Sequence, residues 1–272
     1  MKTAVVTGAS SFVGCHLARG FAQKGWAVTA ALTLPRDRYE GIRSERLKWI
    51  GDSVISWQTL DLRDEKSARD LIGRIKPDLW IHHAGYAVDY GSLEYDLNTG
   101  HAVNVAPLTY IYEELAKARC GGVIVTGSSM EYSDTDQACD ESDVCKPTTP
   151  YGQSKLEETQ TAEKLSKNYN VPTRVARLFI PFGPLDAPDK VLPYAVENLK
   201  KGLPVELSPC TQRRDFLYVG DVVRAYGSLA GDLKRGGFEI INVCSREAVA
   251  VRRVIEMIAD RLGASRDLLG FG

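Results

Sequence analysis

Tyr151 and Lys155 lie four residues apart in PYGQSK (Pro150–Lys155), and Ser129 precedes them in GSSMEY (Gly127–Tyr132). On a helix that spacing puts the phenol and the ammonium on one face. A nearby positive charge favours phenolate over phenol. Tyr151 could therefore take or give the proton of a substrate hydroxyl, with Ser129 hydrogen-bonded to the same oxygen. Glu131, two residues past Ser129, offers a carboxylate that could act as a base or stand as a structural group. Taken alone, Tyr and Lys at this spacing describe an ordinary solvated helix face. Their weight comes from what stands before them.

What stands before them is TGASSFVG (Thr7–Gly14), placed after an apolar run that reads as a strand and at the start of a helical pattern. In that context Gly8 and Gly14 let the backbone turn tightly, and Ser10, Ser11, Phe12 and Val13 carry it into a helix N-terminus. The unpaired N–H groups there suit the pyrophosphate of a dinucleotide. Ser11 stands where a further glycine is expected. It costs little at negative φ and about 1 kcal/mol or more if left-handed backbone is needed. Its hydroxyl could also donate to a phosphate oxygen. At the end of the second strand, Ala31-Leu32-Thr33-Leu34-Pro35-Arg36 holds no acid before Asp37. NAD sites place an acid there for the ribose 2′-hydroxyl. Thr33 with Arg36 or Arg38 suits a 2′-phosphate instead. NADP is the expected cofactor, with NAD the alternative.

Strands read at Thr3–Thr7, Ala27–Leu32, Ile55–Leu60, Leu79–Ala84, Gly122–Thr126 and Thr173–Ile180. Helices read at Phe12–Lys24, Asp64–Lys76, Asn98–Arg119 and Pro150–Tyr169. Continuous apolar strands alternating with helices predict an α/β fold: a Rossmann-type doubly wound parallel sheet. After Pro181 the pattern loosens. Strands at Val205–Leu207, Phe216–Tyr218 and Phe238–Val243 mix with helices at Val191–Lys201, Asp221–Leu229 and Val249–Leu262. This predicts a dinucleotide-binding domain over 1–180 and a smaller C-terminal substrate-binding lobe over 181–272. The boundary is soft, because the lobe returns elements to the main sheet.

The order of glycine loop, serine after the fifth strand, and Tyr and Lys on the next helix resembles the extended short-chain dehydrogenases/reductases of the nucleotide-sugar epimerase/dehydratase type. The resemblance covers most of the chain and implies Ser129, Tyr151 and Lys155 as the catalytic set, acting with hydride transfer at a nicotinamide. It implies Asp61 and Leu62 as adenine contacts, and His83, Ala84 and Gly85 of IHHAG (Ile81–Gly85) as neighbours of the cofactor. It also implies Asn104 as the helix asparagine and Asn242 as a turn residue. RLFIPFGP (Arg177–Pro184) matches with Phe179 beside the cofactor, but Ile180 replaces the usual asparagine. RRDFLYVGDV (Arg213–Val222) puts Arg214 at a nucleotide diphosphate, and Ser129 and Met130 would line the substrate. Spacing alone makes Arg213 and Arg214 surface charges.

The resemblance implies a nucleotide-diphosphate sugar as substrate and a homodimer paired through the Asn98–Arg119 and Pro150–Tyr169 helices. Three reactions remain: reduction of a 4-keto sugar, 4-epimerisation, and 4,6-dehydration with Glu131 as base. Met130, where an acid is usual, together with the arginines after the second strand, tilts the expectation to reduction. Alternatives are reduction of an apolar carbonyl, which the Arg213–Arg214 segment argues against, and a cofactor-binding sensor or scaffold. Such a sensor usually lacks one of the catalytic three. The chain ends at Gly270-Phe271-Gly272, where relatives usually continue, so truncation is expected.

The bulk numbers agree with an enzyme. The 272 residues are 44% hydrophobic and 25% charged with net charge -1, which gives no ground for nucleic-acid or anionic-membrane binding. The six cysteines show no metal-like spacing, so no metal site and reduced thiols in a cytoplasmic protein are expected. MKTAVV is too short an apolar run for a signal peptide, and no stretch reaches membrane-spanning length. His82 and His83 read as core residues of the fourth strand. The acidic loop between Cys139 and Cys145 reads as solvated.

Overall fold

The structure is a computed structural model describing residues 1–54, 56–135 and 137–272. In chain order the elements are β1 (Thr3–Thr7), α1 (Phe12–Gln23), β2 (Ala27–Leu32), α2 (Gly41–Ile50), β3 (Ser56–Thr59), α3 (Glu65–Ile75) and β4 (Leu79–His82). Next come α4 (Leu97–Gly100), a π-helical turn (His101–Val105), α5 (Leu108–Lys117), β5 (Val123–Ser128), a 3-10 turn (Ser129–Glu131), α6 (Pro150–Tyr169), β6 (Thr173–Leu178) and β7 (Ile180–Phe182). The remainder is α7 (Val191–Lys200), β8 (Val205–Leu207), β9 (Arg213–Tyr218), α8 (Val219–Asp232), β10 (Phe238–Val243), β11 (Ala248–Ala250), α9 (Val251–Leu262) and β12 (Leu269–Phe271).

The main sheet has seven strands in the order β10-β6-β5-β4-β1-β2-β3. Each adjacent pair is parallel. This is the doubly wound arrangement expected from the alternating pattern. Its strands are apolar at successive positions because both faces are covered: β2 (AVTAAL) is buried at every residue. One face packs on α1, α2 and α8 through Leu17, Phe21, Leu47 and Tyr226. The other packs on α3, α5 and α6 through Leu71, Ile111, Tyr112 and Ala162. The chain reverses direction across the sheet between β1 and β4, so the ends of β1, β4 and β5 open side by side. In this topology that crevice is where ligands bind.

Beyond residue 181 the chain serves two bodies. α8 packs against α1, and β10 closes the main sheet beside β6. α7, α9, β8 and β12 enclose a separate apolar cluster around Leu199, Val205 and Ile255. A short three-stranded sheet, β11-β9-β7, draws its strands from along this stretch.

Local differences from the sequence reading have local causes. The helix expected over Asn98–Arg119 is interrupted by the π-helical turn and by Pro107, which lacks an N–H to continue the ladder. That widened turn carries the buried Asn104, whose Oδ1 accepts from Tyr86 N (2.7 Å) and whose Nδ2 donates to Ser154 Oγ (3.1 Å). The sixth strand ends at Leu178, not Ile180, because β7 leaves the main sheet to pair with β9. The start expected at Ile55 for the third strand lies outside the described residues. α2 went unread because its buried face holds only Leu47 and Ile50 beside an arginine, Arg46.

Candidate active site

The loop after β1 turns at Gly8, whose φ of 69° is left-handed. A Cβ there would lie 2.8 Å from Ala84 Cα, so only glycine admits the approach of the two strand ends. Ser11 has φ -79° and ψ 167°, ordinary extended backbone, and it caps α1. Its Oγ accepts from Gly14 N (3.1 Å) and pairs with His83 Nε2 (2.9 Å). The serine therefore carries no left-handed strain, and its hydroxyl is engaged within the protein. Phe12 and Val13 contribute first-turn N–H groups that no helical carbonyl can reach, the donors an anion would meet. Ser10 is buried, and its carbonyl accepts from Arg46 Nη1 (3.4 Å).

His83, Ala84 and Gly85 follow β4. Thr7 Oγ1 accepts from both His83 N and Ala84 N at 2.9 Å and donates to the Ile81 carbonyl (3.2 Å), tying β1 to β4. His83 Nδ1 pairs with Thr126 Oγ1 (2.9 Å), which pairs with Tyr226 OH (2.7 Å). A hydrogen-bonded chain thus runs from the loop across β4 and β5 to α8. Burial, reinforced by Lys155, pushes the His83 imidazole down to about 4, so it is neutral.

After β3, Asp61, an adenine contact by the resemblance, is gripped by Arg63 through Nη2 (2.6 Å) and Nε (3.0 Å). Leu62 is buried, and its carbonyl accepts from Tyr110 OH. Thr33 is exposed on the bend after β2, and Arg36 lays its guanidinium 4.5 Å from the Trp57 ring centre. Among the described residues Arg36 makes no ion pair.

Ser129 and Met130 lie half-buried in the 3-10 turn that ends β5, against the first turn of α6. A Cβ on Gly152 would collide with the Met130 carbonyl, so the turn and the helix start are in direct contact next to Tyr151. Thr149 caps α6 by accepting from Gly152 N (3.1 Å), and Pro150 occupies its first turn, which fixes where the helix begins. The Tyr151 ring meets Tyr90 at 5.8 Å and Tyr95 at 5.6 Å, both edge-on. Burial raises the Tyr151 phenol above its ordinary value, and Lys155 pulls against this. Lys155 is buried and donates to Glu158 Oε2. Burial opposes its charge, but Glu158 and Tyr151 outweigh that and raise its pKa. Glu158 was not singled out from the sequence, although its place three residues past Lys155 was visible.

Glu131 is fully buried. Its Oε1 accepts from Ser128 N (2.8 Å) in a capping box, and its Oε2 accepts from Arg177 Nε (2.8 Å). Arg177 also donates to Tyr132 OH (2.8 Å). Both oxygens of Glu131 are held by the protein, the arrangement of a structural carboxylate. Phe179 follows β6, its N–H bonded to Val243 O (3.2 Å). Arg214 is exposed on β9 with Nη1 bonded to the Arg213 carbonyl (2.8 Å), and Arg213 donates to Ala248 O. Asn242 lies within β10, not on a turn. It donates through Nδ2 to Cys139 O (3.0 Å) and through its backbone N to Glu141 Oε1 (2.8 Å), so the acidic loop is docked on the strand.

Among the described residues no cluster of three or more His, Cys, Asp or Glu could hold a metal ion, and no helix is long and apolar enough to cross a membrane.

Residues 4–244 match the NAD dependent epimerase/dehydratase family. The chain is 25% identical to the CDP-abequose synthase of Salmonella muenchen, over 94% of this chain and 80% of that protein. It is also 25% identical to the UDP-glucuronate 4-epimerase of Thermodesulfobacterium geofontis (strain OPF15), over 98% and 83%. Among solved structures, MoeE5 in complex with UDP-glucose and NAD superposes with a TM-score of 0.81 at 25% identity, covering 100% of this chain and 85% of that one.

Proposed function

The chain belongs to the NAD dependent epimerase/dehydratase family, and from that premise we infer that it inverts one ring hydroxyl of a nucleotide-diphosphate sugar by hydride transfer through bound NAD. The cradle fits a dinucleotide. Gly8 brings the β1 and β4 ends together, and the first turn of α1 offers free donors at the switch point of the sheet. When bound, NAD supplies the hydride acceptor and donor. Tyr151 takes the hydroxyl proton and returns it, Ser129 holds the same oxygen, and the Lys155 ammonium offsets part of the rise that burial imposes on the phenol. Arg214, exposed on β9, would meet the diphosphate.

The observation that carries epimerisation over dehydration is the closure of Glu131. Elimination of water needs a carboxylate free to take a carbon-bound proton. Glu131 is held by Ser128 N and Arg177, and Met130 supplies no acid. Reduction of a 4-keto sugar by NADPH is the second reading. It is favoured by the absence of an acid at the end of β2 and by Arg36 with no ion pair among the described residues.

Native mass spectrometry of the purified protein, followed by incubation with UDP-glucose or UDP-glucuronic acid without added cofactor, separates the readings. Epimerisation predicts co-purified NAD and formation of the 4-epimer with no net change in nicotinamide absorbance. Stoichiometric NADPH consumption with a 4-keto sugar would replace that reading by reduction. Pairing of two copies through α5 and α6 is part of the same proposal and is measured by light scattering.

A further inference from the structure

Glu158 lies three residues past Lys155 and seven past Tyr151, so the three share one face of α6. Its side chain is 1% exposed, and its Oε2 accepts from Lys155 Nζ. Its other oxygen, Oε1, has no hydrogen-bond partner among the described residues. His82 Nε2 is likewise without one, and the two orphaned atoms face each other at 3.8 Å. The tautomer of His82 follows from its other nitrogen. Nδ1 accepts from Trp80 Nε1 (3.3 Å), and indole nitrogen is a donor only, so the neutral ring carries its proton on Nε2. A buried donor and a buried acceptor therefore stand just beyond hydrogen-bond reach, behind the lysine on which Tyr151 depends. Native proteins seldom leave such atoms unpaired without a use for them.

Building on the hydride-transfer reading above, we propose that Glu158 is a positioning residue that regulates how much of the Lys155 positive charge reaches Tyr151, with His82 as its alternate partner. Burial pushes Glu158 up to about 7 against the pull of Lys155, so above that pH the carboxylate holding Lys155 offsets the ammonium and the phenol stays protonated. When Lys155 turns from Glu158 toward Tyr151 and the dinucleotide, His82 Nε2–H closes its gap to Glu158 and keeps the carboxylate hydrogen-bonded. No covalent step is involved. The titratable groups facing Glu158 are Lys155 and Tyr151 on its own helix, His82 on β4, Glu131 after β5, Tyr112 on α5 and Tyr226 on α8. Of these, Lys155 alone is cationic near neutral pH, because burial depresses His82 to about 3.

The test is ultraviolet titration of phenolate in the NAD-loaded protein, with the Tyr151→Phe protein subtracted to isolate Tyr151, run beside the pH dependence of kcat. Removing the carboxylate in Glu158→Gln is expected to move the Tyr151 titration, and the acid limb of kcat with it, to lower pH by about 1 unit, the size expected for one charge lost beside a titrating group. Glu158→Met removes the charge with a side chain of similar length and is expected to move both the same way, which keeps the test open if the Gln variant does not fold. Glu158→Asp keeps the charge and is expected to restore the wild-type position. A titration unmoved in both charge-removing variants, or moved equally by Asp, overturns the proposal. If instead Tyr151→Phe leaves both the titration and turnover unchanged, the hydride-transfer reading itself fails, whatever Glu158 does.

Discussion

Replacing Ser11 by glycine, with and without His83→Leu, tests whether the hydroxyl in the phosphate loop serves the protein or the ligand. In the structure Ser11 Oγ has two protein partners, Gly14 N at 3.1 Å and His83 Nε2 at 2.9 Å. Exchange of a serine cap for glycine costs only a few tenths of a kcal/mol. The lost bond to His83 matters more: an imidazole nitrogen left unpaired costs about 1–3 kcal/mol when fully buried, and His83 is half-buried, which sets that range as the ceiling. Ser11→Gly should therefore destabilise the protein by at most about 1–3 kcal/mol. At about 2–4 °C per kcal/mol for a chain of this size, Tm should fall by at most roughly 2–12 °C. In the double variant the unpaired nitrogen is gone, so the two substitutions together should cost less than their sum by about 1 kcal/mol. The assay is urea unfolding of the four proteins of the cycle, with NAD affinity measured alongside by calorimetry. Affinity should stay within a few-fold. Additive unfolding costs would refute the Ser11–His83 coupling, and a large loss of affinity with unchanged stability would show that the hydroxyl binds phosphate.

Tyr151→Phe should abolish turnover while native mass spectrometry still finds NAD bound; more than a few per cent of residual activity would remove the phenol from the proton step. Glu131→Gln should cost about 3–5 kcal/mol in urea unfolding, because it leaves the buried Arg177 without its counter-charge. Lost activity at unchanged stability would instead make Glu131 the base of a dehydration. Arg214→Ala should raise KM for a nucleotide sugar about 10–100-fold, the worth of a charge-assisted bond to phosphate, with a smaller effect on kcat; an unchanged KM would place the diphosphate elsewhere. His82 and His83 should make stability fall with acid. Their folded values lie at about 3 and about 4 against 6.5 unfolded, so the unfolded chain binds more protons below pH 6.5. Tm should decline as pH drops from 6.5 toward 4, and less steeply in His83→Leu.

The main sheet was legible in the sequence because a parallel strand buried on both faces must be apolar throughout. Thr3–Thr7 and Ala27–Leu32 were read with the bounds they have. Pro150–Tyr169 was equally plain, with threonine and proline at its start and a left-handed Asn170 after its end. α2 was hidden because only two of its ten residues, Leu47 and Ile50, are buried apolar ones, and Pro107 split a stretch whose apolar spacing looked continuous. Those failures are local. The larger gap concerned partners distant in sequence.

Residue type and order alone determined the class of fold and the place of the glycine loop, and they singled out Ser129, Tyr151 and Lys155 as the site proposed above, because these rest on spacings within single elements or between neighbouring ones. Only the tertiary structure decided what each group is free to do. The sequence offers the serine in TGASSFVG to a phosphate, and only folding shows its second partner, His83, 72 residues away. Glu131 reads from the sequence as a base or a structural carboxylate, and only folding brings Arg177 from β6 to pair with it. Glu158 carried no signal until burial placed it between Lys155 and His82. A side chain's type sets the proton it can hold, while its neighbours across the sheet set whether that proton can move.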